Sequence, residues 1–427
     1  MKPLALLRDL VADPRLALML GLGFSSGLPF LLIFSVQSAW LREAGVSMVE
    51  IGLMSYCALA FSFKFLWAPI IDRFDVPGLA RWLGRRRGWM LVAQFGVAAG
   101  LFGLAFAQPK VTLVWSIGFA ALTAFAAATQ DVTVDGWRID AAPVERQGMM
   151  TAVYSLGYRI GMVCAYAGAF YLADLSGWRL AYLVMTALTL VGMGACLLSP
   201  RLDRAAAAGP RPSFASAFRE PLAELVRRKR LILIPILALV AIYRLPDFVS
   251  GVMANPLYID LGFSKSEIAT VSKLYGVWIG IAGAFAGGVF AQRIGLMPTL
   301  LIGGVAASAS HLSLAFLAGH PGRIDVFTLA VSVESFAGGF AGTALIAYMS
   351  SLVSPAYAAT QYALLSSLYA LPGKFVGGLS GFMVERWGYP SFFATTALIG
   401  VPVAVLCLLV WRLSALANSR ALKENPA

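Results

Sequence analysis

Apolar stretches of about 20 residues alternate with short polar breaks along nearly the whole chain. They run approximately over 16–40, 47–71, 89–107, 111–137, 148–173, 178–198, 230–257, 264–291, 297–318, 323–350, 357–383 and 389–413. A helix rises about 1.5 Å per residue, so each stretch can cross a hydrocarbon layer of roughly 30 Å. Backbone polar groups in lipid must be satisfied within the segment, and runs this long satisfy them as helices, not as barrel strands. The pattern predicts an all-α membrane protein with twelve transmembrane helices. The first stretch is too long, and too poor in a small-residue cleavage site, for a removable signal peptide.

The longest polar break, 199–229, contains AAAAGPRP and separates an N-terminal bundle (1–198) from a C-terminal bundle and short tail (230–427). Within the break, Phe214, Phe218, Leu222 and Leu225 recur at helical spacing, which predicts a short amphipathic helix on the membrane surface. A fraying, solvated linker is the alternative.

The two bundles echo one another. An offset of 217 relates Pro29 to Pro246, and Gly45, Val46, Ser47, Glu50 and Ile51 to Gly262, Phe263, Ser264, Glu267 and Ile268. Asp174, Gly177 and Trp178 similarly match Glu385, Gly388 and Tyr389. Two six-helix repeats related by a pseudo-two-fold axis, rocking about a site between them, is transporter architecture. Pro29 and Pro246 are expected to kink their helices. Ser47 with Glu50, and Ser264 with Glu267, have capping-box spacing and are assigned to structure.

Composition fits this frame. Of 427 residues, 59% are hydrophobic and 13% charged, and the mean hydropathy is +0.78. With both termini cytoplasmic, 22 Lys and Arg fall on the inner side and 6 on the outer, the asymmetry that marks a cytoplasmic face. The net charge of +12 is thus a topology signal whose neighbours are anionic headgroups, and a nucleic-acid partner is not expected. Cys57, Cys164, Cys196 and Cys407 are scattered through spans without CxxC spacing, so neither disulfide nor metal framework is expected. His311 and His320 are isolated, and no phosphate loop or nucleophile motif occurs, which disfavours an enzyme acting on lipid-linked sugars. No cofactor is implied, and the expected state is a monomer.

Five cations interrupt apolar runs: Lys64, Arg159, Arg244, Lys273 and Lys374. An ionised group in hydrocarbon is costly unless it faces a cavity or a partner, so they predict a wet, positively charged chamber and an anionic cargo. Lys64, near its helix end, also fits snorkelling to the interface. The acids within spans are Asp131, Asp135, Asp247 and Glu334. Asp131 and Asp135, four apart, share a helix face; Asp131 suits proton coupling or gating, whereas Asp135 equally suits an ion pair with Arg138 or Arg146. Glu334 has Lys374 and Lys273 as candidate partners, in a coupling or a purely structural pair. Arg244 and Asp247 stand at i, i+3 and either satisfy each other or present Arg244 to cargo.

Several motifs are distinctive. Asp72-Arg73 followed by Gly84-Arg85-Arg86-Arg87 resembles the loop between helices 2 and 3 of the major facilitator superfamily, with Ala68 where that signature has glycine. SGLPFLLIFSVQSAW (26–40), FKFLWAPIIDR (63–73), GRRRGW (84–89), QDVTVDGWRID (130–140), LGYRIGM (156–162) and ATQYALLSSL (359–368) resemble the AmpG-type muropeptide permeases over 16–414. The acetyl-CoA transporter group shares the WAP-x-x-D region but not the full set. The resemblance implies the major facilitator fold in the inner membrane of a Gram-negative bacterium. It also implies import of N-acetylglucosaminyl-anhydro-N-acetylmuramyl saccharides and peptides from periplasm to cytoplasm for peptidoglycan recycling, driven by protons. A carrier for another anionic metabolite, such as an acyl-CoA or organic anion, is the alternative. Arg138 and Lys374 swap basic type relative to the family pattern and Pro246 stands in place of a glycine; Lys and Arg hold carboxylates differently.

Muropeptide carboxylates suit fixed cations, which makes Arg159, Arg244, Lys273 and Lys374 the expected substrate contacts. Sugars need flat apolar faces and amide partners, for which Tyr154, Tyr158, Tyr243, Tyr275, Gln37 and Gln361 are candidates, each equally able to serve in packing. Asp131, Glu334 and Asp247 are the proton-coupling candidates. Asp72, Arg73, Arg85, Arg86, Arg87, Asp135 and Arg138 are expected to latch the cytoplasmic side.

Overall fold

The computed structural model describes residues 14–141, 144–201, 223–228, 232–354 and 358–424. Among them every regular element is helical and none is a strand. In chain order these are α1 (Pro14–Glu43), α2 (Met48–Phe63), α3 (Ala80–Phe106), α4 (Leu113–Ala141), α5 (Val144–Val163) and α6 (Ala169–Leu198). Then follow α7 (Leu233–Asp260), α8 (Lys265–Ile294), α9 (Leu296–Ala318), α10 (Ile324–Leu352), α11 (Ala358–Gly377), α12 (Ser380–Leu398) and α13 (Gly400–Glu424). Nine helical stretches among the described residues are long and apolar enough to cross a membrane. Two of them, Val153–Leu198 and Ser380–Leu416, run through glycines held at φ 83 (Gly177) and φ 73 (Gly388). Only glycine enters that left-handed region cheaply, so these positions turn the chain between helices that share one continuous stretch.

The chain forms two compact units. One contains Met1–Ser47, Cys57–Ala208 and Ser264–Lys273; the other contains Met48–Tyr56, Gly209–Phe263 and Leu274–Ala427. In this division the start of α2 belongs to the second unit and the start of α8 to the first. Of the expected linker helix, Phe214, Phe218 and Leu222 lie outside the described residues. Residues 223–228 are helical, with Leu225 buried.

Close backbone approach organises each unit. Without a hydrophobic force between helices in lipid, association depends on van der Waals contact, which small residues maximise. In the first unit a Cβ at Gly23 or Gly27 of α1 would stand 2.2 or 2.1 Å from the carbonyl oxygens of Tyr154 or Tyr158 on α5. In the second, a Cβ at Gly283 of α8 would meet the Phe336 carbonyl of α10 at 2.0 Å. Around these seams lie buried Met19, Leu22, Trp137 and Val153 in one unit and Leu239, Tyr243, Leu345 and Val403 in the other.

The internal repeat is visible in the backbone and in the contacts. Gly45 and Gly262 hold φ 79 and 81, and Gly84 and Gly295 hold φ 76 and 90. Within the first unit the Glu43 carboxylate accepts the Trp178 indole N–H, and Asp174 accepts the Ser266 hydroxyl. Within the second, Asp260 accepts the Tyr389 hydroxyl at 2.8 Å and Glu385 accepts the Val49 N–H at 3.2 Å. Each acid thus has a counterpart with the same task, which is why the acid-glycine-aromatic echo is present in the sequence. The Ser264–Glu267 capping box forms as expected.

Two local expectations are corrected. The stretch 47–71 is not one helix: after Phe63 it tightens into a 3-10 turn (Lys64–Leu66) and restarts at Ala68–Arg73 with a proline in its first turn. Pro69 lacks the N–H that an unbroken helix would need there. Pro246 does not kink a continuous helix; α7 breaks at Arg244 (φ −103, ψ 8), and Pro246 opens the following segment, where a missing N–H costs nothing. Pro29 lies inside α1, followed by a wider π-helical turn at Leu32–Val36.

Candidate functional site

The break in α2 sets Lys64 toward α4. Trp67 anchors it there, donating its indole N–H to Thr129 Oγ1 at 3.1 Å and packing its ring on Phe125. Lys64 Nζ stands 3.7 Å from Asp131 Oδ2, and the two side chains are 35% and 15% exposed. Lys64 is therefore paired within the bundle, and snorkelling is not its arrangement here. The Gln130 amide donates to Ser25 and Ser26 at 3.1 Å each, which keeps Ser26 beside Asp131 and the Tyr154 hydroxyl. Asp131 Oδ1 is buried and, among the described residues, accepts no hydrogen bond. Tyr154 and Tyr158 follow one another on α5 with ring centroids 6.2 Å apart. The unit thus holds an ionisable acid, one cation and two phenols together inside the span, a group able to carry a proton if the ion pair opens.

The remaining first-unit candidates separate. Asp135 is half exposed and pairs with Arg138 at 3.4 Å, the plain ion pair that was the alternative for it. Arg86 reaches Asp140 at 3.2 Å and lies across Gly136, where a Cβ would be 2.6 Å from its guanidinium. Arg87 donates to the carbonyls of Cys196 and Leu197 at 3.1 and 2.6 Å, satisfying the last turn of α6. Arg85 Nε is buried without a hydrogen bond among the described residues; the side chains of Asp72 and Arg73 lie outside the described residues. Arg159 is exposed on α5. Lys273 places its ammonium 4.6 Å from the Tyr166 ring centroid, a cation–π contact. Gln37 is 1% exposed beyond the π-helical turn, with neither end of its amide hydrogen-bonded among the described residues.

In the second unit, the break in α7 positions Arg244. Its Nη1 donates to the Gly338 carbonyl at 3.0 Å and its Nε faces Asp247 Oδ2 at 3.4 Å, so the i, i+3 pair exists. Glu334 on α10 and Lys374 on α11 are both half-buried. Tyr275 is exposed and shares a 2.9 Å hydrogen bond with Ser332. Two expected substrate contacts are otherwise engaged. Tyr243 is 1% exposed and donates to the Leu300 carbonyl at 2.8 Å, inside the core. Gln361 donates to Glu224 at 2.6 Å and accepts the Ser354 N–H at 2.7 Å, tying the 223–228 helix to α11. Both side chains thus already make hydrogen bonds within the protein.

Sequence reasoning missed His311. It is fully buried on α9, and its Nε2 lies 3.1 Å from Ser250 Oγ on α7. The signal was the run of small polar residues at Ser308, Ser310 and His311 in an otherwise apolar helix, which marks a packed face. The four cysteines are free, and among the described residues no three His, Cys, Asp or Glu side chains group to hold a metal.

Apolar helices carrying paired charges define a multi-pass membrane protein. The Major Facilitator Superfamily model matches residues 16–373, and the chain belongs to that family. The Escherichia coli K12 anhydromuropeptide permease is 34% identical over 399 residues, covering 93% of this chain and 79% of the relative. A Rickettsia conorii protein carrying the name AmpG 4 is 32% identical over 404 residues, covering 93% and 96%. Among solved structures, the nucleoside transporter NupG superposes with a TM-score of 0.68 at 17% identity, covering 93% of this chain and 98% of NupG. A D-xylose–proton symporter gives 0.66 at 15%, covering 94% and 97%. These two likenesses speak to fold alone.

Proposed function

We propose that this transporter imports anhydro-muropeptides, N-acetylglucosaminyl-1,6-anhydro-N-acetylmuramyl saccharides with or without peptide, for peptidoglycan recycling. The observation that carries the reading is the 34% identity with the E. coli permease across almost the whole chain. The chemistry of the spans supports it: a cargo bearing carboxylates suits cations inside hydrocarbon, and Arg159, Arg244, Lys273 and Lys374 are the proposed contacts. Tyr154, Tyr158 and Tyr275 offer ring faces for sugar. The chain crosses the bacterial inner membrane twelve times with both termini cytoplasmic, as the Lys and Arg asymmetry indicates. The bundles 1–198 and 230–427, joined by the linker 199–229, rock to expose the cargo on alternate sides as a monomer among anionic lipids.

Protons drive the cycle in this reading. Asp131 is the acid best placed to carry one: protonation would neutralise it, release Lys64 and weaken the tie between the α2 break and α4. Glu334 and Asp247 are the second-unit candidates. Arg85, Arg86, Arg87 and Arg138, with Asp72, Arg73 and Asp135, act in gating. The test is uptake of labelled anhydro-muropeptide into proteoliposomes with and without an inward proton gradient. Uptake that follows the gradient is expected; uptake indifferent to it, or none, would refute the symport or the cargo respectively.

A further inference from the structure

The break in α7 is tied to α9 on both sides of Arg244 and Asp247. Before it, the Tyr243 hydroxyl donates to the Leu300 carbonyl at 2.8 Å. After it, Ser250 and His311 share a 3.1 Å hydrogen bond between two side chains with 1% and 0% exposure. Ser250 also donates to the Asp247 carbonyl at 3.3 Å. Its single hydroxyl proton is then spent, so its oxygen accepts and His311 Nε2–H donates, an assignment made from the hydrogen-bond pattern. The other ring nitrogen, Nδ1, is left as a buried acceptor with no partner among the described residues. A histidine that leaves half its polar capacity unmet inside a membrane bundle is a poor packing choice, for which leucine or phenylalanine would serve better. The other half, Nε2, is the one that bonds across to α7. The charged groups acting on the ring, Asp247 and Arg244, both lie on α7.

We propose that His311 is a positioning residue for Arg244. Its ring holds Ser250, Ser250 holds the Asp247 carbonyl, and together they fix the first turn of the segment from which Asp247 meets Arg244 at 3.4 Å. Tyr243 fixes the preceding segment, so the guanidinium leaves the break in one direction, toward the Gly338 carbonyl and any anionic cargo. This deepens the proposed function and rests on Arg244 touching cargo.

Two readouts test it. The first needs no cargo: amide hydrogen exchange across 245–251 is expected to rise in Ser250→Ala and His311→Leu but not in His311→Gln, whose amide N–H can still reach Ser250. The second is proteoliposome uptake of labelled anhydro-muropeptide. Ser250→Ala and His311→Leu should each raise KM about tenfold with Vmax changed less than about twofold, and the double variant should be no worse than either. His311→Gln should keep the wild-type KM. Where His311→Leu fails to insert, Ser250→Ala and His311→Gln decide. Unchanged exchange and KM in Ser250→Ala, additive losses in the double variant, or a His311→Gln as poor as His311→Leu would overturn the proposal. Arg244→Gln separates the two levels. If it loses affinity while Ser250→Ala and His311→Leu do not, positioning alone fails. If it keeps wild-type KM, Arg244 does not contact cargo and both fail. If the wild-type protein takes up no muropeptide, the cargo assignment fails, and the exchange measurement still decides the positioning.

Discussion

Lys64 and Asp131 meet at 3.7 Å across the break in α2, each on a different helix and neither fully screened by solvent. Breaking such a pair from one side leaves a charge without its counter-ion, which costs more than removing both. Lys64→Gln is expected to lower the melting temperature in detergent, and the double variant Lys64→Gln/Asp131→Asn should recover part of the loss. In proteoliposomes Asp131→Asn should reduce gradient-driven uptake by at least about tenfold while leaving cargo exchange in place. Equal loss of exchange would assign Asp131 to cargo binding or folding instead.

Glu43 takes the Trp178 N–H on one oxygen and Lys265 Nζ, at 2.8 Å, on the other. In the second unit the position matching Lys265 is Met48, whose sulfur lies 3.6 Å from the Tyr389 hydroxyl. At matching positions of the repeat one unit therefore carries a lysine and the other a methionine. Lys265→Met should cost no more than about 1 kcal/mol, because a partly exposed ion pair contributes little. The salt dependence of wild-type stability should shrink in the variant. Thermal unfolding at low and high sodium chloride measures both.

Gly27 faces the Tyr158 carbonyl so closely that a Cβ would lie 2.1 Å away, whereas a Cβ at Gly118 would meet nothing within 4 Å. Backbone cannot yield as a side-chain tip can. Gly27→Ala should destabilise by about 1–3 kcal/mol and reduce the membrane-inserted yield, while Gly118→Ala should change neither. Both are read from the detergent melting temperature and the amount of protein in membranes.

Glu224 is held below the ordinary carboxylate range, first by the Gln361 amide and then by Arg228. A carboxylate whose folded value is depressed stabilises the fold above its unfolded pKa, and the benefit is lost as pH falls through the lowered value. Docking of 223–228 should thus be constant from pH 7 to about 5 and weaken below about 4, the free glutamate value being near 4.3. Hydrogen exchange in 223–228, corrected for intrinsic rates, measures it. Glu224→Gln should show faster exchange at pH 7 and no further acid dependence.

Much of the site was legible as residue types and not as partners. The intramembrane cations stood out because charge in an apolar run is expensive wherever it lies. Asp135 with Arg138 and Arg244 with Asp247 could be paired from spacing, since i, i+3 neighbours share a helix face. Lys64 with Asp131 could not: they are far apart in sequence, and Lys64 lies in the 3-10 turn that follows α2. Tyr243 and Gln361 shared helices with charges, but which face each occupies depends on what packs there, and both turned to partners within the second unit. His311 looked isolated for the same reason, its partner lying on another helix.

The sequence by itself determined the solvent of this protein, its helical class and its duplicated plan. Hydrocarbon forces each apolar run to satisfy its own backbone, and a repeated acid, glycine and aromatic leaves its mark whatever the packing. Tertiary structure decided which buried charges have counter-ions, which phenols and amides are already hydrogen-bonded, and where helices break. Those outcomes depend on distances between segments remote in the chain, which are set by glycine-to-carbonyl contacts and single hydrogen bonds that no periodicity encodes.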